Sequence, residues 1–486
     1  MIDMHKKFIF CFLYVATAII AVSCGKDVIS TYETAKQREV ETKSIDSQKT
    51  SSQIPIDFFS DIKFKEWVEI AGIENRFKAC NVSDYVLESK TTEALAKSLL
   101  HYPMNYLVLM YNDPYDAVRL VMKKSSLHQA FVQRNDAAQV ITNLFGTTSL
   151  DVSIEKSLFD DDYVNLSYVN ELFLEYFIGS GVIPEIFTGD YSDFLEQSAR
   201  TKLSERESDT ETFSFISKFP LIEIINSVSN QNRSSVSNPD SSMTRSSSVT
   251  IHTFFKQSLT GFDLDEMSNT EIITRTNAAV TLHPNAILRG AATNKYNCHS
   301  YAWYNSSLTN DVWINATYNN SFQLSKFWTN DLYVSCAQSS AEIVYYSNGD
   351  HSAIVLPNGK YLSKWGPGPL MEHEYYDCPY DYSSLQYYAE RTTPLTQFTT
   401  INGNSSVYVN QNNIYSFDSY YNMSFSVHMQ YMESDYPLPC TLNQIDSGIY
   451  YLTCDDPGYY TITVEGYRNG YCIARAVKGI VAWPNE

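Results

Sequence analysis

The spacing of apolar residues changes character along the chain, and the changes divide it. An apolar run spans Phe8 to Val22, behind Lys6 and Lys7 and ahead of Ser23 and Cys24. It is too short for a membrane span, and it has the charged start and small-residue end of a secretory signal over residues 1–23. Residues 24–55 are polar and carry no hydrophobic period, which predicts a flexible tether. From 56 to 225 the pattern is helical. In TTEALAKSLLHYPMNYLVLMY, Ala94, Leu95, Leu99, Leu100 and Tyr102 recur at spacings that make one apolar face. Thr91 or Thr92 ahead of Glu93 is a start signal and Pro103 a stop; PYDAVRLVMKKSSLHQAFVQRNDAAQVITNLF predicts two or three further helices.

Residues 226–250, NSVSNQNRSSVSNPDSSMTRSSSVT, bury too little apolar surface to offset chain entropy, and a linker is predicted there. Beyond it come short β-type runs, AEIVYYS, HSAIVLP and KYLSKWG, with turns at Asn348-Gly349, Asn358-Gly359 and Pro367-Gly368. Residues 251–395 therefore read as an α+β domain. From 400 to 486 the runs SVYVN, NMSFSVHMQY, GIYYLTC, GYYTITVEGYR and YCIARAVKGIVAW alternate with turns, the habit of an immunoglobulin-like β-sandwich. The predicted fold class is multidomain: an all-α N-terminal module, a central α+β domain and an all-β C-terminal sandwich.

Composition narrows the partners. With 486 residues, 44% hydrophobic and 19% charged, the chain is mostly globular and too long for one small core. A net charge of −20 repels phosphate backbones, so no nucleic acid is expected as a partner. Beyond Cys11 and Cys24, cysteines stand at 80, 298, 336, 378, 440, 454 and 472, an odd number for an exported chain. They form no CxxC pair, so a zinc ribbon is unsupported, and no disulfide follows from the spacing.

Two resemblances follow from short motifs. Ala21-Val22-Ser23-Cys24 resembles a bacterial lipobox, which implies cleavage before Cys24, its acylation, and an exported protein anchored to a membrane by lipid. Residues 80–145, through TTEAL, HYP and RNDAAQV, resemble a helical module of surface proteins from gut-type bacteria, which implies an all-α fold and no particular activity.

The chemistry concentrates around Cys298. In ATNKYNCHSYAWY a polar loop gives way to an aromatic and small-residue run that predicts a helix beginning at Cys298. A thiol at a helix start favours its nucleophilic form. Fifty-three residues on, Asn348-Gly349-Asp350-His351 is a turn that delivers His351 to the first position of a strand. A strand-held His opposite a helix-start Cys is the papain-type dyad. Cys298, His299, His351 and His373 also compose a possible zinc set, disfavoured because adjacent Cys298 and His299 point apart on a regular element. Asp350 is disfavoured as the third member of a triad because strand neighbours face opposite ways.

NCHSYAW followed by HSAIVLPNGKYLSKWG resembles the NlpC and CHAP papain-like superfamily of bacterial cell-wall cysteine hydrolases, over residues 290–373. The resemblance implies a papain-like central domain, Cys298 as nucleophile and His351 as general base. It puts the imidazole-orienting residue near Ser363 or Lys364, where the family usually has His, Asn, Gln or an acid; His373 is a substitute from the following loop. His299 stands where cell-wall hydrolases most often have a small residue. Oxyanion stabilisation falls to the Cys298 backbone N–H with Tyr296 or Asn297. Trp365, in the SKWGPGPLMEH loop, is a candidate groove wall. The implied reaction is hydrolysis of an amide bond in a peptidoglycan stem peptide or another peptide, with no metal or organic cofactor. A different reading is a catalytically idle surface module that binds glycan or protein.

Overall fold

The computed structural model describes residues 64–148, 167–231, 246–396, 398–420, 422–432 and 440–485, all within one compact unit. The predicted signal and the whole of the predicted tether, Cys24 included, lie outside the described residues. The N-terminal part is helical: α1 (Phe64–Val68), α2 (Ile73–Ala79), α3 (Asp84–Glu88), α4 (Thr92–Leu100), α5 (Pro114–Lys124), α6 (Ser126–Val132), α7 (Ala137–Thr147), α8 (Ser167–Gly179), α9 (Asp190–Ser208) and α10 (Phe215–Gln231).

Local chemistry explains the boundaries. Thr91 caps α4 by accepting from the Ala94 N–H at 3.2 Å. Pro103 then opens a 3-10 segment, Pro103–Leu109, rather than simply ending the chain's helical run. Asp113 caps α5 ahead of Pro114, whose fixed φ suits the first helical position. Between α8 and α9, Glu175 meets Arg206 at 2.6 Å and Glu171 meets Lys202 at 2.7 Å, with all four side chains buried. Neither charge of such a pair is left uncompensated in the core.

The expected linker is structured at both ends. Helix α10 runs to Gln231 because Val228 still reaches the core. Strand β1 (Ser246–His252) pairs with β2 (Ser258–Leu264) although its first residues are serines, since a ladder uses backbone groups and needs no apolar side chain.

After β1 and β2 come α11 (Asn269–Leu282), β3 (Ile287–Gly290), a two-residue hairpin of β4 (Thr317–Tyr318) and β5 (Ser321–Phe322), and then β6 (Tyr333–Ser335), β7 (Ile343–Tyr346), β8 (His351–Val355), β9 (Tyr361–Lys364), β10 (Leu370–His373) and β11 (Leu385–Glu390). Helix α11 starts with a capping box between Ser268 and Glu271. Seven of these strands form one antiparallel sheet in the order β3-β10-β9-β8-β7-β11-β6.

Strand alternation gives this sheet two different faces. Val344, Tyr346, Ala353, Tyr361 and Met371 share a core with the N-terminal helices and α11. Ile343 and Tyr345 turn the other way and pack with Ala302, Trp303 and Phe327. The sheet is thus a middle layer, with the helical region on one side and the Cys298 segment on the other. One apolar core continues from the helices into the sheet, so the two regions predicted as separate modules are joined by burial.

The C-terminal part is all-β. Its strands are β12 (Leu395–Thr396), β13 (Ser406–Tyr408), β14 (Asn413–Ser416), β15 (Ser424–Tyr431), β16 (Cys440–Asp446), β17 (Ile449–Cys454), β18 (Gly458–Arg468) and β19 (Tyr471–Trp483). One sheet runs β12-β19-β18-β15 with β13 also on β19; the other runs β14-β17-β16. Inward residues of both, including Tyr415, Leu452, Ile462, Val464 and Ile473, form a shared core.

Candidate functional site

Asn297 begins the site. Its side-chain oxygen accepts from the Ser300 N–H at 3.0 Å and its backbone oxygen from the Tyr301 N–H at 3.0 Å, so it caps a helical turn whose first residue is Cys298. Its side-chain amide donates to the Ile314 carbonyl at 2.7 Å. Asn297 is therefore committed to holding the turn, and no oxyanion role is read from it. The turn widens into a π-helical segment, Ser300–Tyr304, which ends with the Asn305 N–H bonded to the Ser300 carbonyl at 2.9 Å. The helical piece is short.

Cys298 is fully buried. Its cover is Asn112, from the loop between the 3-10 segment and α5: the Asn112 amide donates to Cys298 Sγ at 3.2 Å and to the Asp350 carbonyl at 3.1 Å. The loop is fixed from beneath. Tyr380 donates its hydroxyl to the Met110 carbonyl at 2.5 Å, and Arg275 donates to the Leu109 carbonyl at 2.8 Å. A Cβ on Gly366, at φ +50°, would stand 2.4 Å from the Met110 carbonyl oxygen, so this approach requires glycine.

His299 is the imidazole held in place beside Cys298. Its Nδ1 lies 2.9 Å from Ser352 Oγ and its Nε2 lies 3.3 Å from the Asp350 carboxylate, while Trp303 Nε1 donates to the same Ser352 hydroxyl at 2.8 Å. Burial alone pulls an imidazole's pKa down. Here Cys298 and Asp350 pull the other way and win, raising His299 from 6.5 to about 10. Burial likewise pushes the Asp350 carboxyl up, but the charge and hydrogen bond of His299 hold it below the ordinary range. The turn predicted at Asn348-Gly349 is present, with its left-handed residue at Asp350, φ 45°, rather than at either of those two.

His351 is placed differently from the expected dyad. The register pairs Tyr346 with His351 and Tyr345 with Ser352, so Ser352 faces the Cys298 segment and His351 the helical region. His351 stacks on Tyr380 with ring centroids 3.6 Å apart and planes 9° from parallel, and neither ring nitrogen has a hydrogen-bond partner among the described residues. Burial drives its pKa well below 6.5 and keeps it neutral. No hydrogen bond joins it to Cys298, Ser363 or His373.

Ser363 and His373 do meet, but for each other. The Ser363 hydroxyl lies 2.7 Å from His373 Nε2, Trp365 Nε1 donates to Ser363 at 3.1 Å, and His373 Nδ1 lies 2.8 Å from the Glu374 carbonyl. This chain fixes a neutral His373, held by burial at about 4. Trp365 is fully buried between His283 and His373, so it is a core residue rather than a groove wall. Lys364 donates to the carbonyls of Thr293, Gly366 and Gly368, fastening two loops, and its ammonium lies over the Tyr296 ring. Tyr296 itself is buried against Tyr301.

The four residues weighed as a zinc set are divided by the sheet: His299 lies on one face, His351 and His373 on the other. Among the described residues, no group of three or more His, Cys, Asp or Glu is arranged to hold a metal. A second polar cluster, outside the Cys298 site, seams the helical region to the sheet. His283 Nδ1 lies 3.1 Å from Asp377 and its Nε2 3.2 Å from the Tyr106 hydroxyl, and Arg76 reaches Tyr106 at 3.4 Å and the Val68 carbonyl at 2.7 Å.

The members missed from sequence are Asn112 and Ser352, with a proton-handling place for His299; the sequence reading sets Asp350 aside, and the structure brings it to His299. Ser352 had a signal: as the strand neighbour of His351 it points to the opposite face. Asn112 had none, being 186 residues from Cys298. No protein-family model matches the chain, and no curated protein matches it.

Proposed function

We propose that this chain is an exported cysteine hydrolase of papain-like type that cleaves amide bonds through Cys298. The carrying observation is that Cys298 opens a capped turn beside an imidazole, His299, which is tied to a carboxylate. The central α+β part is then the papain-like domain, the C-terminal sheets an immunoglobulin-like sandwich, and Cys24 the lipid attachment that tethers the enzyme to a membrane. The substrate class is a peptidoglycan stem peptide or another peptide, as the NCHSYAW and HSAIV motifs suggest.

In this reading Cys298, as the thiolate of an ion pair with the His299 imidazolium, attacks the amide carbonyl carbon, and His299 turns its Nε2 proton from Asp350 to the departing amine as the C–N bond breaks. Asp350 stabilises the imidazolium charge and Ser352 fixes the ring. The Cys298 backbone N–H and the Asn112 amide, already at the sulfur, are the donors nearest to a developing oxyanion. Water then attacks the thioester carbon, His299 takes its proton, and the acid leaves as Cys298 is restored.

A second reading rests on the complete burial of Cys298. A shielded thiol bonded to Asn112 suits an idle core cysteine in a surface module that binds glycan or protein. The rate of iodoacetamide labelling at Cys298, followed by peptide mass against pH, separates the two. Labelling that persists well below the free-thiol pKa of about 8.5, and slows in His299→Ala but not in His351→Ala, supports the hydrolase with His299 as proton carrier. Slowing only in His351→Ala returns the base to His351. Labelling that titrates as a free thiol in all three proteins leaves the idle module.

A further inference from the structure

Cys440 and Cys454 are register partners across the antiparallel pair β16–β17. The Cys454 carbonyl accepts from the Asn410 N–H at 2.7 Å, on the side of β17 that faces away from β16. In an antiparallel ladder a residue's N–H and C=O point to the same neighbour, so Cys454 and Cys440 form a non-hydrogen-bonded pair. Such pairs bring their Cα atoms to about 4.5 Å and their side chains closest together. That lies inside the roughly 4.4–6.8 Å that a disulfide spans.

Both side chains turn toward the core of the β-sandwich: Cys454 is fully buried beside Leu452, and Cys440 packs half-buried against the same cluster. No other two cysteines are register partners among the described residues; Cys472, for instance, faces Tyr467. Cys80, Cys298 and Cys378 are buried in other parts of the fold.

The pair also sits where a covalent tie has most to hold. Strand β16 is the outer strand of a three-stranded sheet, and most of its side chains are exposed. A strand with so little buried apolar surface is the first to open.

We infer that Cys440 and Cys454 close a disulfide whenever the chain meets a disulfide oxidant, and that the bond staples β16 to the sandwich. The half-buried Cys440 thiolate attacks a sulfur of the oxidant, such as oxidised glutathione, and expels one thiolate to leave a mixed disulfide. Cys454, as thiolate, then attacks the Cys440 sulfur and expels the second. Two protein thiols lose two protons and two electrons, and the oxidant's disulfide becomes two thiols. Burial, and then the neighbouring Cys440, push the Cys454 thiol up to about 12 while both cysteines are reduced.

The test holds the purified full chain in oxidised glutathione or in dithiothreitol, blocks free thiols with iodoacetamide in denaturant, and maps the peptides by mass after chymotrypsin. Cleavage at Tyr450 or Tyr451 separates the two cysteines unless they are linked. The expected result is one joined pair, lighter by two hydrogens than the separate peptides, that splits in dithiothreitol. The urea midpoint of the oxidised protein should exceed that of the reduced one, and the difference should vanish in the Cys440→Ser/Cys454→Ser double variant. Alkyl groups on both cysteines after oxidation, or linkage of either to a different cysteine, would overturn the pairing. A formed bond with an unchanged midpoint would overturn the stapling.

Discussion

His299 and Asp350 stand 51 residues apart in the chain and meet at 3.3 Å, with the His299 ring fully buried and the Asp350 carboxylate still partly open to solvent. Cys298 first, and then Asp350, hold a positive charge on this ring against the pull of burial.

That charge can be read directly. In a histidine NMR titration of the full chain, His299 should remain imidazolium through neutral pH and lose its proton only near about 10. Asp350→Asn should move that titration down, because burial, which opposes the charge, is then less opposed. The stabilisation carried by the raised His299 is fully present below its unfolded pKa of about 6.5. It is lost as pH rises through about 10. A His299 titration near 6.5 in the wild type would refute the pairing.

Asn112 should act as a shutter. Asn112→Ala removes the amide that bonds Cys298 Sγ and the Asp350 carbonyl, so iodoacetamide should reach Cys298 several-fold faster at neutral pH. The cost should be about 1–2 kcal/mol, the scale of one or two partly buried hydrogen bonds. Unchanged labelling would mean that Cys298 is shielded by something other than this side chain.

Asn297→Ala should be more damaging than its position in a loop suggests. It deletes the cap on the Ser300 N–H and leaves the Ile314 backbone groups without their buried partner. A loss of about 2–4 kcal/mol follows from the cap and the unsatisfied groups together. Urea unfolding of this variant beside Asn143→Ala, at an exposed helix position, checks it, the latter being expected within about 0.5 kcal/mol of wild type.

Acid should unfold the protein through buried neutral histidines. Burial lowers His128 to about 3 and His283 and His373 to about 4. Each is protonated more readily in the unfolded chain, so its contribution is complete above about pH 6.5 and is lost as pH falls toward the folded value. The expected slope is about 1.4 kcal/mol per pH unit for each group between those limits. Urea midpoints from pH 7 to 4 measure it, and His128→Phe, whose ring already packs among Phe173, Phe177 and Tyr102, should flatten the slope.

The legibility of the site follows the range of the forces that make it. The turn beginning at Cys298 and the loop before His351 are local, and the sequence carries their cap and turn residues in plain order. Alternation along the strand says that Ser352 and His351 point apart, but not which of them faces Cys298. What the motif order suggested, a bond between Cys298 and His351, needed both on one face of the sheet, and only the packing of the helical region on the opposite face shows where His351 goes. The Ser363, Lys364, Trp365 and His373 candidates likewise went to core hydrogen bonds, because a strand buried on both sides leaves polar side chains no water to face.

By itself, the sequence determined a helical N-terminal part, a following α+β part with Cys298 at a helix start, and a C-terminal run of short strands, because periodicity, caps and turns act over a few residues. Only the tertiary structure decided that helices and sheet share one core, that Asn112 closes over Cys298, and that His299 pairs with Asp350. Each of those depends on which surfaces bury one another across long stretches of chain. No local pattern records that choice, because it is made by the free energy of the whole packed unit.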